Sequence, residues 1–182
     1  MSRLHTTTRC PRWVTRHRLL ALLALLSAGL MMALRWAGAD AGFQSTVLQV
    51  PFDERFNGYD PEQALAVVAG MDTLQYRAYL RYRLLDLLLP WTLGACLSGC
   101  LCQLQARRLA RLGWLAAAVD TLENLLLWDM MLQDSAPATL VHLASGVTQL
   151  KWVVYGLTLG VLGVVAAQRM LRRSASAEQG DG

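Results

Sequence analysis

Four apolar runs, each about as long as a bilayer is thick, alternate with polar connections along the chain. They cover about 19–37, 80–102, 109–132 and 140–167. Each has the roughly 20 residues a helix needs to cross the hydrocarbon core, where only helices and closed barrels satisfy their backbones. The pattern predicts an all-α fold: a transmembrane four-helix bundle with a short extracytoplasmic helical lid, residues 38–79, between the first two spans. A basic segment, 1–18, precedes this membrane domain of 19–167. A small polar tail, 168–182, follows it and is expected to be disordered.

Arginine placement sets an expected direction. Arg3, Arg9, Arg12, Arg16 and Arg18 precede the first span, Arg107, Arg108 and Arg111 lie between the second and third, and Arg169, Arg172 and Arg173 follow the fourth. The connection between spans three and four has neither Arg nor Lys. The connection between spans one and two sets Asp40, Asp53, Glu54, Asp60, Glu62 and Asp72 against Arg55 and Arg77. Positive-inside bias then puts both termini in the cytoplasm of a multi-pass inner (plasma) membrane protein. Ala37-Gly38-Ala39 has the form of a signal-peptidase site, but the apolar run before it is long and ends in Arg35-Trp36. An uncleaved anchor is expected; cleavage would leave three spans.

Within the lid, Gln44 to Val50 has the β-branched content of an extended piece, and Asn57-Gly58 reads as a turn. Asp60-Pro61-Glu62-Gln63 has the form of a capping box with proline at the first helical position, with Gly70 as the stop. Asp72 or Thr73 should cap a second helix leading into span two. Tyr76, Tyr79 and Tyr82, with Trp36, are expected at the external interface.

Polar residues inside the spans carry the candidate chemistry. Lys151, the only lysine beside sixteen arginines, interrupts the fourth span, and Asp120, Glu123 and Asn124 interrupt the third. Ionisable groups in a span are costly and usually face a bundle interior. Asp120, Glu123 and Asn124 share one helical face, as do Thr148, Lys151, Tyr155 and Thr158. A short loop makes spans three and four antiparallel neighbours, so the two stripes meet at one depth. One reading is a buried ion pair that fixes register. The other starts from two acids facing one lysine: the surplus carboxylate either stays protonated or binds a cation. Asp86 lies in the outer part of span two, where Arg35 could supply a second pair. Pro90, four residues on, frees the Asp86 carbonyl for a ligand, a water or a neighbouring side chain. Asp86, Asp120, Glu123, Asn124, Thr148, Lys151 and Tyr155 are therefore the ligand- or ion-binding candidates. Gly156, Gly160 and Gly163 form a face suited to close helix packing, within the bundle or between protomers.

Other classes of chemistry lack their signatures. The arginines flank spans instead of lining a polar domain, which argues against nucleic acid. Cys10, Cys96, Cys100 and Cys102 lack metal or redox spacing, and none lies in the external loop, so no disulfide is expected. His5, His17 and His142 have no partner at ligand spacing, so no metal and no cofactor is expected. No nucleophile elbow, H-E-x-x-H, Walker or dinucleotide motif occurs, and no catalytic residue is assigned.

Phe52-Asp53, Gly58-Tyr59, Pro61-Glu62, Tyr79-Leu80, Asp86, Pro90, Asp120-x-x-Glu123-Asn124 and Leu150-Lys151-Trp152 form a series that resembles one in uncharacterised small bacterial four-span integral membrane proteins. The resemblance covers about 52–152 and brings no activity, so no functional residue is carried over from it. The residues themselves favour a non-enzymatic binding or scaffold module built on the buried cluster. Its expected partners are the lipid bilayer and a second copy or another membrane protein. The alternatives are a proton- or cation-coupled small-solute carrier and a membrane enzyme acting on lipid head groups.

Overall fold

The computed structural model describes residues 17–40, 51–133 and 136–178, with no strand among them. Six α-helices and one 3₁₀ turn follow in order: α1 (His17–Asp40), the turn (Phe52–Glu54), α2 (Pro61–Ala69), α3 (Thr73–Asp86), α4 (Leu89–Gln103), α5 (Arg111–Leu132) and α6 (Ala138–Glu178). Three helical stretches are long and apolar enough to cross a membrane: His17–Ala39, Thr73–Gln103 and Ala138–Arg172. At 22 residues α5 has the length as well, but Arg111, Asp120, Glu123 and Asp129 make it more polar. Ala37-Gly38-Ala39 lies inside α1.

The second stretch is α3 and α4 joined across a break at Leu87 and Leu88, with Pro90 in the first turn of α4. Proline has no N–H to give to the carbonyl four residues back. Asn124 Nδ2 from α5 donates to that Asp86 carbonyl instead, at 3.3 Å. A neighbouring side chain thus takes the place that a ligand or water could have filled. At its other end α4 stops in a Schellman motif. Gln105 N–H donates to the Cys102 carbonyl and Ala106 N–H to that of Leu101, while Gln105 holds φ at 63°.

α1 packs on α3 and α4, α4 on α5, and α5 on α6, so α1 lies at one edge. On α1 the buried positions Leu20, Ser27 and Leu34 recur every seven residues, and Ser27 Oγ reaches Thr92 Oγ1 of α4 at 3.1 Å. The tightest crossing joins α4 to α5. A Cβ on Gly94 would stand 2.6 Å from the Gly113 carbonyl oxygen, and one on Gly113 would stand 2.6 Å from that of Gly94. Here the absence of side chains lets the two backbones touch. Gly156, Gly160 and Gly163 meet no atom of this chain within 4 Å of a built Cβ. The expected glycine face is therefore open, and the close approach falls elsewhere.

The lid folds through its caps. Asp60 accepts from Gln63 N–H at 2.8 Å and Asp72 from Gln75 N–H at 2.8 Å, each answered by the glutamine side chain. Gly58, at φ 75°, turns the chain against α6, and a Cβ there would meet Ser145 Oγ and Gln149 Nε2 at 2.5 Å. Tyr59 N–H donates to Ser145 Oγ at 2.9 Å and Gln149 Nε2 to the Asn57 carbonyl at 3.0 Å. Beneath these contacts Phe52, Tyr59, Ala64 and Val67 of the lid close over Tyr79, Leu127, Met130, Val141 and Ala144. The extended piece expected over 44–50 lies outside the described residues.

Three expectations need correction. The tail does not begin at 168, because α6 continues to Glu178: nothing between Ala167 and Glu178 forbids a helix. Tyr79 and Tyr82 are buried in the core instead of lying at the interface, because their hydroxyls have polar partners inside. Cys96 and Cys100 are free thiols, but Cys102 is disulfide-bonded. No disulfide is expected from the position of the cysteines outside the external loop.

Candidate functional site

The side chains singled out in the spans converge with two that were not, Arg83 and Asp53. Two buried cations organise the cluster. Lys151 Nζ of α6 lies 2.5 Å from Glu123 Oε2 and 3.7 Å from Asp120 Oδ1, both on α5. The closer contact is an ion pair without hydrogen-bond geometry. Thr148 Oγ1, one turn before Lys151, donates to Glu123 Oε1 at 2.5 Å. Tyr155 O–H, one turn after it, donates to Asp120 Oδ2 at 2.9 Å. Spacings of three and four residues place these groups at successive heights on facing stripes.

Arg83 of α3 is the second cation and has no solvent exposure. Its Nη2 donates to Asp53 Oδ1 at 2.5 Å and to the Tyr79 hydroxyl at 2.6 Å. Its Nη1 donates to Asn124 Oδ1 at 2.8 Å and to Asp86 Oδ2 at 3.3 Å. The guanidinium carbon lies 4.9 Å from the Tyr79 ring centroid and 5.1 Å from that of Tyr82, two rings that are nearly parallel. Planar stacking and a fork of donors are what guanidinium offers and ammonium does not. Tyr82 O–H donates to the second Asp53 oxygen at 2.9 Å, and Trp152 Nε1 of α6 donates to the Asp53 carbonyl at 3.1 Å.

Asp53 belongs to the lid, so the network ties lid, α3, α5 and α6 together. Burial alone would raise the Asp53 carboxyl; Arg83, then Lys151, outweighs it and holds the group below its ordinary value. Glu54 beside it is raised, first by burial and then by the Asp53 carboxylate, with Arg35 opposing. Arg35 therefore acts on the lid, and the partner of Asp86 is Arg83, not the expected Arg35.

All seven sequence candidates enter this cluster: Asp86, Asp120, Glu123, Asn124, Thr148, Lys151 and Tyr155. Lys151 is shared by both acids of α5, with Glu123 closer. Arg83 could have been found in the sequence, since it precedes Asp86 by one turn of the same helix. Asp53 could not, because the contact spans 30 residues through a lid whose path the sequence leaves open.

Chemically the cluster is closed. No side chain in its four ion pairs is more than 10% exposed. It holds four carboxylates against two cations, with neutral donors at Tyr82, Asn124, Thr148 and Tyr155 and a neutral acceptor at Tyr79. Among the described residues no group of three or more His, Cys, Asp or Glu could hold a metal ion. A cavity of about 460 Å³ lies at the opposite end, between His17, Gln103 and Arg169, and touches no residue of the network.

No family model, curated protein or solved structure matches this chain.

Proposed function

We propose that the chain is a non-enzymatic scaffold or binding module of a bacterial inner membrane, with four spans formed by α1, α3–α4, α5 and α6. Both termini lie in the cytoplasm, as the arginine-rich flanks of the spans suggest. The buried network is a clasp that fastens the extracytoplasmic lid to the bundle. One observation carries this reading: Asp53, Asp120 and Glu123 each engage a cation or a donor from another segment, Asp86 engages Arg83 of its own helix, and no side chain of these ion pairs is more than 10% exposed. A group that binds or transforms a substrate needs access to it. A clasp needs closure.

A carrier is the second reading, and the imbalance of four acids over two cations favours it. Two carboxyls in excess of the cations give the cluster a capacity for protons. An enzyme acting on head groups receives no such support, because the four acids are buried among the described residues.

Reconstitution separates the two readings. Wild type and Glu123→Gln are placed in vesicles containing a pH-sensitive dye, and the same proteins are weighed by native mass spectrometry. The scaffold reading predicts no proton flux above empty vesicles and no added mass that Glu123→Gln removes. Flux or a bound solute that Glu123→Gln abolishes would replace the scaffold with the carrier.

A further inference from the structure

The exposed side of α3 has a pattern that the network does not use. Leu74, Arg77, Arg81, Leu84 and Leu88 are all exposed, spaced three, four, three and four residues apart, and so lie on one stripe. Trp91 continues the stripe onto α4 at 50% exposure. Arg77 and Arg81 stand one helical turn apart. Among the described residues neither guanidinium has an ion-pair partner. Arg83 is enclosed by Asp53 and Asp86, Arg35 acts on Glu54, and the carboxylates of Asp60 and Asp72 cap helices. Two neighbouring cations on a mixed apolar face thus lack a counter-charge among the described residues.

Depth says what can supply it. The α3–α4 stretch has 31 residues, which at about 1.5 Å each is about 46 Å. That matches a whole bilayer with its head groups, about 40–45 Å, and exceeds the hydrocarbon core of about 30 Å. Counting roughly 20 residues back from Gln103 puts the edge of the core near Leu84. Leu84, Leu88 and Trp91 then face acyl chains. Arg81 and Arg77 fall in the phosphate layer, where their apolar stems lie along the helix and their charged ends reach outward.

We propose that Arg77 and Arg81 form a binding site for the phosphate of an anionic phospholipid, whose acyl chains run along Leu84, Leu88 and Trp91. Paired guanidinium groups suit phosphate oxygens, and a zwitterionic lipid leaves the two positive charges only partly compensated. The site depends on α3–α4 crossing a membrane. It depends neither on the direction of crossing nor on what the buried network does.

The test uses the full chain in nanodiscs of mixed phosphatidylglycerol and phosphatidylcholine, released into native mass spectrometry. Wild type should retain phosphatidylglycerol in preference to phosphatidylcholine. Arg77→Gln with Arg81→Gln should lower that retention by about fivefold per arginine and leave phosphatidylcholine retention unchanged. Both positions are exposed, so helix content by circular dichroism should match wild type; single variants give the intermediate step. Equal phosphatidylglycerol retention in wild type and variant overturns the site, and so does a parallel loss of both lipids. Displacement of the lipid by inorganic phosphate would make the site one for free anions. A change in oligomeric mass without a change in lipid would make the stripe a protein interface.

Discussion

The two ends of the bundle are held by different physics. At the lid end, Arg83 and Lys151 draw Asp53, Asp86, Asp120 and Glu123 into a network that joins segments 28 to 41 residues apart. At the other end, α4 and α5 meet through Gly94 and Gly113, with Ser98 Oγ donating to the Ala110 carbonyl at 2.6 Å. Small clusters around Leu97, Leu101, Ala110 and Ala116 fill the space there. In lipid there is little hydrophobic force between helices, so close packing and buried polar contacts hold a bundle together. This chain separates the two devices. Close packing tolerates no added atoms, whereas the network tolerates no missing partner.

Breaking the network at its centre should have the largest effect. Arg83→Met leaves Asp53, Asp86 and the Asn124 carbonyl without their donor, and loss of one partner of a buried ion pair costs about 3–5 kcal/mol. A denaturant titration in mild detergent should show it, and Asp53→Asn added to the variant should recover part of the loss. Additive losses in the double variant would mean that the two residues are not coupled.

Next in size is the glycine crossing. Gly94→Val places atoms on the Gly113 backbone, and overpacking of this kind costs about 1–3 kcal/mol. Cross-linking between cysteines placed on α4 and α5 should weaken in the variant, while the lid contacts persist. Smaller still is the effect expected at Gln105, which sits at φ 63° without being glycine. Gln105→Gly should raise stability by about 1 kcal/mol by relieving that conformation. A loss of stability would show that the side chain contributes more than the backbone strain costs.

The smallest effect at neutral pH is that of acid on the lid. The Asp53 carboxyl is held below its ordinary value of 3.8. Its contribution to stability is therefore complete above that value and is lost as pH falls through the lower folded one. The part of lid opening that Asp53 controls, followed by labelling of a cysteine placed at Ala64, should rise as pH falls below the ordinary carboxylate value. Asp53→Asn should remove the rise.

Local signals in the sequence were legible to the residue. The Asp60–Gln63 capping box, the Gly58 turn and the facing stripes on α5 and α6 each depend on neighbours within one or two turns and stand where the pattern put them; the start of α3, left open between Asp72 and Thr73, is capped by Asp72 in a second box. Long-range partners were harder. Lys151 stands alone in an apolar run, whereas Arg83 lies with Arg81 at the outer end of the second run, close to Arg77 of the lid. The spacing of Arg83 to Asp86 was the missed signal. Glycine patterns left more open. Gly156-x-x-x-Gly160 permits a close approach without saying that one occurs, and the crossing formed at Gly94, whose small neighbour four residues on is Ser98. The tyrosines show the same limit: an amphipathic ring suits a membrane interface, but a buried guanidinium draws it inward.

Hydrogen exchange across the lid tests the clasp most directly. Amides of 52–59 and of α2 should be protected in wild type. In Arg83→Met, and more mildly in Asp53→Asn, that protection should fall, while the amides of α4 and α5 around Gly94 and Gly113 keep theirs. If the lid stays as protected in both variants as in wild type, the network does not fasten it and the account fails.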